Sequence, residues 1–136
     1  MRERLGFYKA SAEPGRLWIH AVSLGETRAA SALIDALRAS DPALKVLLTH
    51  STATGHEAGQ ALLREGDART WLPYDTPGAV RRFLRHWQPR LGVLMETEVW
   101  PTLQREAELA RVPMVLHRAM RAPRNCWACW PAWPPA

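Results

Sequence analysis

Five short apolar runs alternate with longer segments of helical periodicity along this chain, and this alternation constrains the fold more than any other feature. Because short apolar runs bounded by polar turns are typical of buried strands, each run predicts one strand. The predicted strands span residues 17–22, 45–50, 69–72, 91–95 and 112–116. Strands that alternate with helices favour an α/β fold, a doubly wound and mostly parallel sheet of about five strands with helices on both faces.

The segments between the predicted strands indicate four helices. Apolar residues recur at helical spacing from Glu26 onward, and the helix ends at Asp41, because the following proline disfavours a helical conformation there. Pro77 suits the first position of the third helix, which Asp75 or Thr76 is predicted to cap. The remaining predicted helices span residues 55–65, 77–87 and 101–111.

Length and composition set limits on what the chain can be. Its 136 residues make one ordinary domain, and a hydrophobic content of 47% is enough to build a core. The apolar runs are far shorter than the roughly 18–20 residues of a membrane-spanning helix, and no apolar signal-peptide segment is found at the start. The sequence therefore predicts neither a membrane-spanning protein nor a self-sufficient two-domain enzyme.

The net charge of +5 depends largely on the end of the chain. Three arginines and no acidic residue follow His117, and without them 15 basic residues stand against 13 acidic ones. A weakly positive chain does not argue for a nucleic-acid partner, so none is predicted. The charge leaves open a weak attraction of the chain to an anionic membrane surface.

Residues 123–136, PRNCWACWPAWPPA, differ in kind from the rest of the chain. Four prolines there break both helical and strand periodicity. Cys126 and Cys129 form a C-x-x-C pair, but a redox pair should open a helix after a strand, and zinc needs two further ligands. The sequence around the pair shows neither a helix after a strand nor two further zinc ligands. We interpret residues 1–116 as the domain and residues 117–136 as an atypical tail, either frameshifted or disordered.

Two histidines, His20 and His50, lie within apolar runs. Both are interpreted as core residues rather than metal ligands, because no third ligand lies at a useful spacing. The sequence therefore predicts no metal site.

Polar side chains collect where three of the predicted strands end. In a parallel sheet these ends share one edge, at which α/β proteins bind their ligands. Small and hydroxylated residues at helix N-termini suit a phosphate or a sugar, and carboxylates suit proton transfer from a sugar hydroxyl. The residues concerned are Ser23, Gly25 and Glu26 after the first strand, Thr54 and Gly55 after the second, and Glu96 and Glu98 after the fourth.

The carboxylates at this edge differ in how well a purely structural role would explain them. Ser23 and Glu26 have the spacing of a capping box, so Glu26 is open between a helix cap and a catalytic base. A second pair, Thr54 and Glu57, has the same spacing, and there the cap is favoured. The pair that follows the fourth strand falls on one side of an extended chain, and the cost of burying two like charges favours a function for it.

Four blocks of sequence resemble one known family. HAVSLGE (20–26), LTHSTATG (48–55), WLPYDTPGAVRRFL (71–84) and METEVWPTL (95–103) are similar to segments of bacterial 3-deoxy-D-manno-octulosonic acid (Kdo) transferases, in the same order and with similar spacing. The resemblance covers roughly residues 3–116. The joint occurrence of four blocks is far more specific than any single short pattern.

The resemblance implies the N-terminal, Rossmann-like half of a GT-B glycosyltransferase. Such an enzyme passes Kdo with inversion from CMP-Kdo to the lipid A precursor in lipopolysaccharide biosynthesis, at the cytoplasmic face of the inner membrane, and no cofactor or metal is implied. By the same resemblance Glu26 is the general base, Glu96 stabilises the transition state and Glu98 shapes the acceptor site. The residues that would line the acceptor pocket are Ser23, Gly25, Thr54 and Gly55.

The sequence departs from the family pattern in three places. The family's apolar N-terminal anchor and its CMP-Kdo-binding C-terminal domain have no counterpart here, and the family's Asn-Ala-Arg pattern after Leu116 is replaced by His-Arg-Ala. We therefore expect a truncated acceptor half, inactive alone, that touches the inner membrane peripherally or stays in the cytoplasm. Two alternatives stay open, a non-catalytic module that binds anionic glycolipid and a nonfunctional truncated product.

Overall fold

Five parallel strands form one sheet in the computed structural model, which describes residues 2–9, 12–95 and 100–117. The strands are β1 (Leu17–His20), β2 (Val46–His50), β3 (Ala68–Trp71), β4 (Leu91–Leu94) and β5 (Met114–Leu116), in the spatial order β3-β2-β1-β4-β5. The helices are α1 (Leu24–Ser40), α2 (Ala53–Gly59), α3 (Pro77–Trp87) and α4 (Pro101–Leu109), with 3₁₀ turns at Glu3–Leu5 and Gln60–Leu62. All four neighbouring strand pairs are parallel, so the predicted α/β fold is confirmed.

Both faces of the sheet are buried, which explains why its strands are apolar throughout instead of alternating. On one face, Ile19 of β1 lies in a fully buried cluster with Ile34 of α1. On the other face, Trp18 packs against Phe83 of α3, with ring centroids 4.8 Å apart. Successive residues of a strand point to opposite faces, so β1 supplies side chains to both clusters.

The register brings the carboxyl ends of four strands to one level. His20 of β1 lies beside Thr49 of β2 and Leu94 of β4, and Thr49 lies beside Thr70 of β3. The residues that follow these strands therefore meet along one edge, which we call the carboxyl edge. This is the edge at which the sequence places the candidate functional residues.

Helix α2 is shorter than the predicted helix over residues 55–65. It ends at Gly59 and continues only as the 3₁₀ turn Gln60–Leu62. Leu63 is already extended, with φ −78° and ψ 137°, so the helix cannot continue to the predicted end at residue 65. The side chains of Leu62 and Leu63 pack against the buried cluster that contains Ile19 and Ile34. Within the described ranges no helix is long and apolar enough to cross a membrane.

A buried ion pair lies at the opposite end of the sheet from the carboxyl edge. Arg38 of α1 contacts Asp67, and their side chains are only 5% and 1% exposed. Asp67 also accepts hydrogen bonds from the backbone N–H groups of Val46 (2.8 Å) and Arg64 (2.7 Å). Arg38 in turn donates to the carbonyl of Leu62 at 3.0 Å. One carboxylate thus ties together α1, the start of β2 and the loop before β3.

Residues 2–9 form a segment that the sequence analysis did not predict, and we call it the N-terminal strap. Gly6 adopts φ 82°, and a Cβ atom there would lie 2.6 Å from the carbonyl oxygen of Ala79 in α3. Arg82 of α3 donates two hydrogen bonds, at 2.9 and 2.6 Å, to the carbonyl of Leu5. Its guanidinium also lies 4.5 Å from the ring centroid of Phe7. The strap is therefore fastened along α3.

Candidate functional site

The loops that follow β1 and β2 are locked together at the carboxyl edge. Thr52 donates from its hydroxyl to the carbonyl of Val22 at 2.6 Å, and its backbone N–H reaches the same oxygen at 3.3 Å. Gly55 is buried beneath this contact, and a Cβ atom there would lie 2.8 Å from the Val22 oxygen. The two loops therefore form one unit, which we call the joined loops. They can approach this closely only because residue 55 is a glycine and has no Cβ atom.

Glu26 forms the capping box that its spacing with Ser23 predicts. Its Oε2 atom accepts hydrogen bonds from the backbone N–H groups of Val22 (2.6 Å) and Ser23 (3.2 Å). Ser23 Oγ accepts from the Glu26 N–H at 3.4 Å and completes the box. Within the described part of the chain, Oε1 of this half-buried carboxylate accepts no hydrogen bond. One oxygen thus fixes the orientation of the carboxylate, while the other makes no hydrogen bond within the described ranges.

The two interpretations of Glu26 that the sequence left open are therefore compatible. A helix cap needs a single acceptor oxygen, and a general base needs a positioned oxygen within reach of the substrate hydroxyl. In the structure the cap uses Oε2 alone, so the capping box does not occupy the second oxygen. The catalytic role of Glu26 itself stays a prediction.

The predicted acceptor-binding residues that the structure describes differ in exposure, and Ser23 is half-buried. Gly25 is exposed, and a Cβ atom there would meet only Ser23 Oγ, at 3.8 Å. Thr54 is also exposed, with its hydroxyl 3.5 Å from that of Thr52. Gly55 packs between the loops and presents no open surface. Its assignment to acceptor binding stays a prediction, and the structure shows a packing role for it.

One predicted cap is wrong, and a second is correct in position but lacks the capping hydrogen bond. Thr54 and Glu57 do not form a capping box, because the N-cap of α2 is Thr52, whose hydroxyl accepts from the Gly55 N–H at 3.2 Å. Thr76 is the N-cap residue of α3, as predicted, but its side chain makes no capping hydrogen bond. Asp75 caps α4 instead and accepts from the N–H groups of Thr102 (3.3 Å) and Leu103 (2.7 Å). Sequence spacing cannot reveal this cap, because its donors lie 27 and 28 residues away.

Glu96 and Glu98 lie outside the residues that the structure describes, as do Cys126, Cys129 and the other residues from 118 onward. The roles predicted for the two carboxylates, the frameshifted or disordered tail and the domain boundary at residue 116 all stay predictions. Asp75 still bears on the site, because it fixes the start of the helix that follows Glu98.

His50 is a core residue, as predicted, and it is strongly desolvated. It is 0% exposed, and its Nδ1–H donates to the carbonyl of Ala21 at 2.9 Å. Among the described residues Nε2 has no hydrogen-bond partner, and it faces Gly59 so closely that any side chain there would overlap the ring. Burial lowers the pKa of His50 to about 4, and burial is also the main cause that lowers the pKa of His56. No group of three potential ligands in the described ranges could hold a metal ion.

We expect the free energy of unfolding to fall as the pH is lowered from about 6.5 to about 4. In this window the unfolded chain binds a proton at His50, whereas the folded chain does not, because its pKa is about 4. The shift corresponds to about 3 kcal/mol. Urea unfolding at several pH values measures it. His50→Asn can still donate to Ala21 and should flatten this part of the profile, and an unchanged slope in that variant would contradict the assignment.

Gly55 and Gly25 should respond differently to alanine. Gly55→Ala forces a Cβ against a backbone carbonyl and should lower the free energy of unfolding by about 1–3 kcal/mol. Gly25→Ala meets open space in the first turn of α1 and should leave stability unchanged or slightly raised. Thermal and urea unfolding of the two variants measure the contrast, and equal losses would contradict the packing described here.

Comparisons with known proteins all indicate the same family. Residues 1–131 match the family described as 3-deoxy-D-manno-octulosonic-acid transferase (kdotransferase). A 3-deoxy-D-manno-octulosonic acid transferase of Bordetella pertussis is 53% identical over 105 residues, which are 74% of this chain and 24% of the relative. One of Haemophilus influenzae is 37% identical over 127 residues, 92% of this chain and 30% of the relative. A probable mitochondrial one of Arabidopsis thaliana is 39% identical over 118 residues, 86% of this chain and 26% of the relative.

Proposed function

Because the chain belongs to the 3-deoxy-D-manno-octulosonic acid (Kdo) transferase family, we propose that it carries the acceptor side of an inverting glycosyltransferase. The chain spans about a quarter to a third of the length of the curated relatives it matches. The proposed reaction transfers Kdo from CMP-Kdo to a sugar hydroxyl of the lipid A precursor. The observation that carries the proposal is the carboxylate of Glu26, held by its capping box at the carboxyl edge with one oxygen unengaged among the described residues.

In the proposed mechanism Glu26 removes the proton from the acceptor hydroxyl. The hydroxyl oxygen forms a bond to the anomeric carbon of Kdo as the bond from that carbon to the CMP phosphate oxygen breaks. The proton ends on Glu26, the electron pair of the broken bond leaves with CMP, and attack from the opposite side inverts the anomeric centre. The backbone N–H groups of Val22 and Ser23 keep the carboxylate oriented throughout.

The remaining predicted residues take supporting roles in this proposal. Ser23, Gly25 and Thr54 line the acceptor pocket at the joined loops, and Gly55 allows those loops to approach each other. Glu96 stabilises the transition state and Glu98 shapes the acceptor site.

CMP-Kdo is proposed to bind the part of the family's length that this chain does not span. The isolated chain should then show no turnover, because nothing would position the donor against the acceptor hydroxyl. We place the protein at the cytoplasmic face of the inner membrane through peripheral contact. Leu5 and Phe7, 47% and 54% exposed on the strap, support this placement, because exposed apolar side chains suit the interface of a bilayer.

A second candidate is a non-catalytic module that binds anionic glycolipid. The capping role of Glu26 favours it, because a carboxylate that serves as a cap needs no catalytic task. The two candidates differ in what they require of Glu26. A binding module keeps its function when the carboxylate is neutralised, whereas a transferase does not.

A chimera tests the proposal. This chain replaces the matching segment of the Bordetella pertussis relative, and transfer of labelled Kdo from CMP-Kdo to lipid A precursor is measured. We expect transfer by the chimera and none by the isolated chain. Turnover by the isolated chain would contradict the proposal that CMP-Kdo binds outside the part of the family's length that this chain spans. A folded chimera that binds both substrates and transfers nothing would contradict the catalytic assignment.

A further inference from the structure

We propose that Arg4 of the N-terminal strap is a positioning residue for the acceptor site, acting through the loop that follows β2. This inference rests on the proposed function, because it assigns Arg4 a task at that same site. Arg4 reaches the loop through the carbonyl of Ser51, to which its Nη2 donates at 2.7 Å. Ser51 directly precedes Thr52, the residue that joins the two loops.

The strap is anchored on both sides of Arg4. Oε2 of Glu3 accepts from the hydroxyl of Thr70 at 2.8 Å and from the N–H of Trp71 at 3.3 Å, at the end of β3. The carbonyl of Arg4 accepts from the N–H of Tyr74 at 2.7 Å. The backbone around Arg4 is therefore fixed to the carboxyl edge independently of its side chain.

A three-layer stack orients the guanidinium of Arg4. Its Cζ atom lies 4.7 Å from the ring centroid of Trp71. The ring of His56, on helix α2, is stacked on Trp71 at 4.3 Å with an interplanar angle of 10°. Arginine is suited to this place because its planar group can stack on an aromatic ring and donate hydrogen bonds at once. The stack thus joins the strap, β3 and α2 around the Ser51 carbonyl.

Two further hydrogen bonds connect the residue after Ser51 with Glu26, the proposed base. The hydroxyl of Thr52, the residue after Ser51, donates to the carbonyl of Val22, and the N–H of Val22 donates to Oε2 of Glu26. A shift of Ser51 therefore moves the groups that orient Glu26 and that line the acceptor pocket. No contact joins Arg4 to Glu26 among the described residues, so the proposed contribution of Arg4 passes through the joined loops.

Arg82 provides a matched control, because it fastens the same strap without touching either loop. It donates twice to the carbonyl of Leu5 and lies over Phe7, on the side of α3. Arg82→Met loosens the strap on the side of α3. Like Arg4→Met, it removes one positive charge. Arg4→Lys keeps the charge and one donor for the Ser51 carbonyl but loses the planar stacking group.

The test compares wild type, Arg4→Met, Arg4→Lys and Arg82→Met in two measurements. The first is titration with lipid A precursor in detergent micelles, alongside urea unfolding. The second is hydrogen exchange of the Thr52 amide, which bonds to Val22. We expect Arg4→Met to weaken binding about tenfold and to speed exchange at Thr52, with Arg4→Lys recovering part of both. Arg82→Met should leave both near wild type at a similar loss of global stability.

Three results would overturn the inference: wild-type affinity in Arg4→Met, equal weakening in Arg82→Met, or unchanged exchange at Thr52 in Arg4→Met. A wild-type chain that binds no lipid A precursor would contradict the proposed function instead. In that case hydrogen exchange still decides whether Arg4 positions the loop, because this measurement needs no ligand.

Discussion

Replacing Glu26 with glutamine in the chimera with the Bordetella pertussis relative is expected to lower the rate of Kdo transfer by about 10²–10⁴-fold, the usual contribution of a general base. Glutamine keeps an oxygen that can accept from the N–H groups of Val22 and Ser23, so the capping box can persist. It cannot take the proton of the acceptor hydroxyl. Stability should therefore change by less than about 1 kcal/mol while transfer is lost.

Glu57 supplies the matched control for this variant. It lies exposed on α2, a few residues beyond the joined loops, and Thr52 rather than Glu57 provides the cap there. Glu57→Gln removes the same charge and should leave transfer near wild type. Steady-state rates at saturating acceptor, with urea unfolding of each variant, separate loss of chemistry from loss of fold. Retained transfer in Glu26→Gln would return Glu26 to a capping role alone.

Asp67→Ala should lower the free energy of unfolding by about 3–5 kcal/mol, because it leaves Arg38 buried without its counter-charge. The loss extends beyond one ion pair. Asp67 also accepts from the N–H groups of Val46 and Arg64, and both donors would lose their partner. Such a loss is a large share of the roughly 5–15 kcal/mol that holds an ordinary domain together. Urea unfolding at pH 7 measures it.

An exposed ion pair gives the comparison for Asp67. Glu13 contacts Lys45 at 2.7 Å, with side chains 58% and 50% exposed. Glu13→Gln should lower stability far less than Asp67→Ala, because water already solvates the Glu13 and Lys45 charges and the second contact of Glu13, to Arg16, is 3.8 Å long. Arg38→Met fills much of the same volume and leaves the carboxylate unpaired, so it should resemble Asp67→Ala. Similar small losses in all three variants would contradict the importance given to the buried pair.

The elements that sequence alone predicts here are those that depend on local pattern. The apolar run at residues 45–50 predicts β2 to within one residue, and Pro77 marks the first residue of α3. The capping box of Ser23 and Glu26 follows from their spacing. These features succeed because the hydrogen bonds and the burial that cause them act within one element.

The features that the sequence does not reveal depend on contacts between distant residues. The strap has no periodicity of its own, and its position depends on Arg82, which lies 77 residues from Leu5. Asp75 caps α4 rather than the adjacent α3, because the fold brings its carboxylate to the N–H of Leu103. At the site, spacing leaves Glu26 open between two roles, and only the geometry shows that its two oxygens can serve different tasks.

The most direct test of the central claim, that this chain carries an acceptor site around Glu26, is titration of the isolated wild-type chain and of Glu26→Gln with lipid A precursor in detergent micelles. We expect saturable binding with closely similar affinity for both proteins, because the acceptor pocket is proposed to lie on this chain and the carboxylate to act in the reaction. Absence of saturable binding by the folded wild-type chain would contradict the claim.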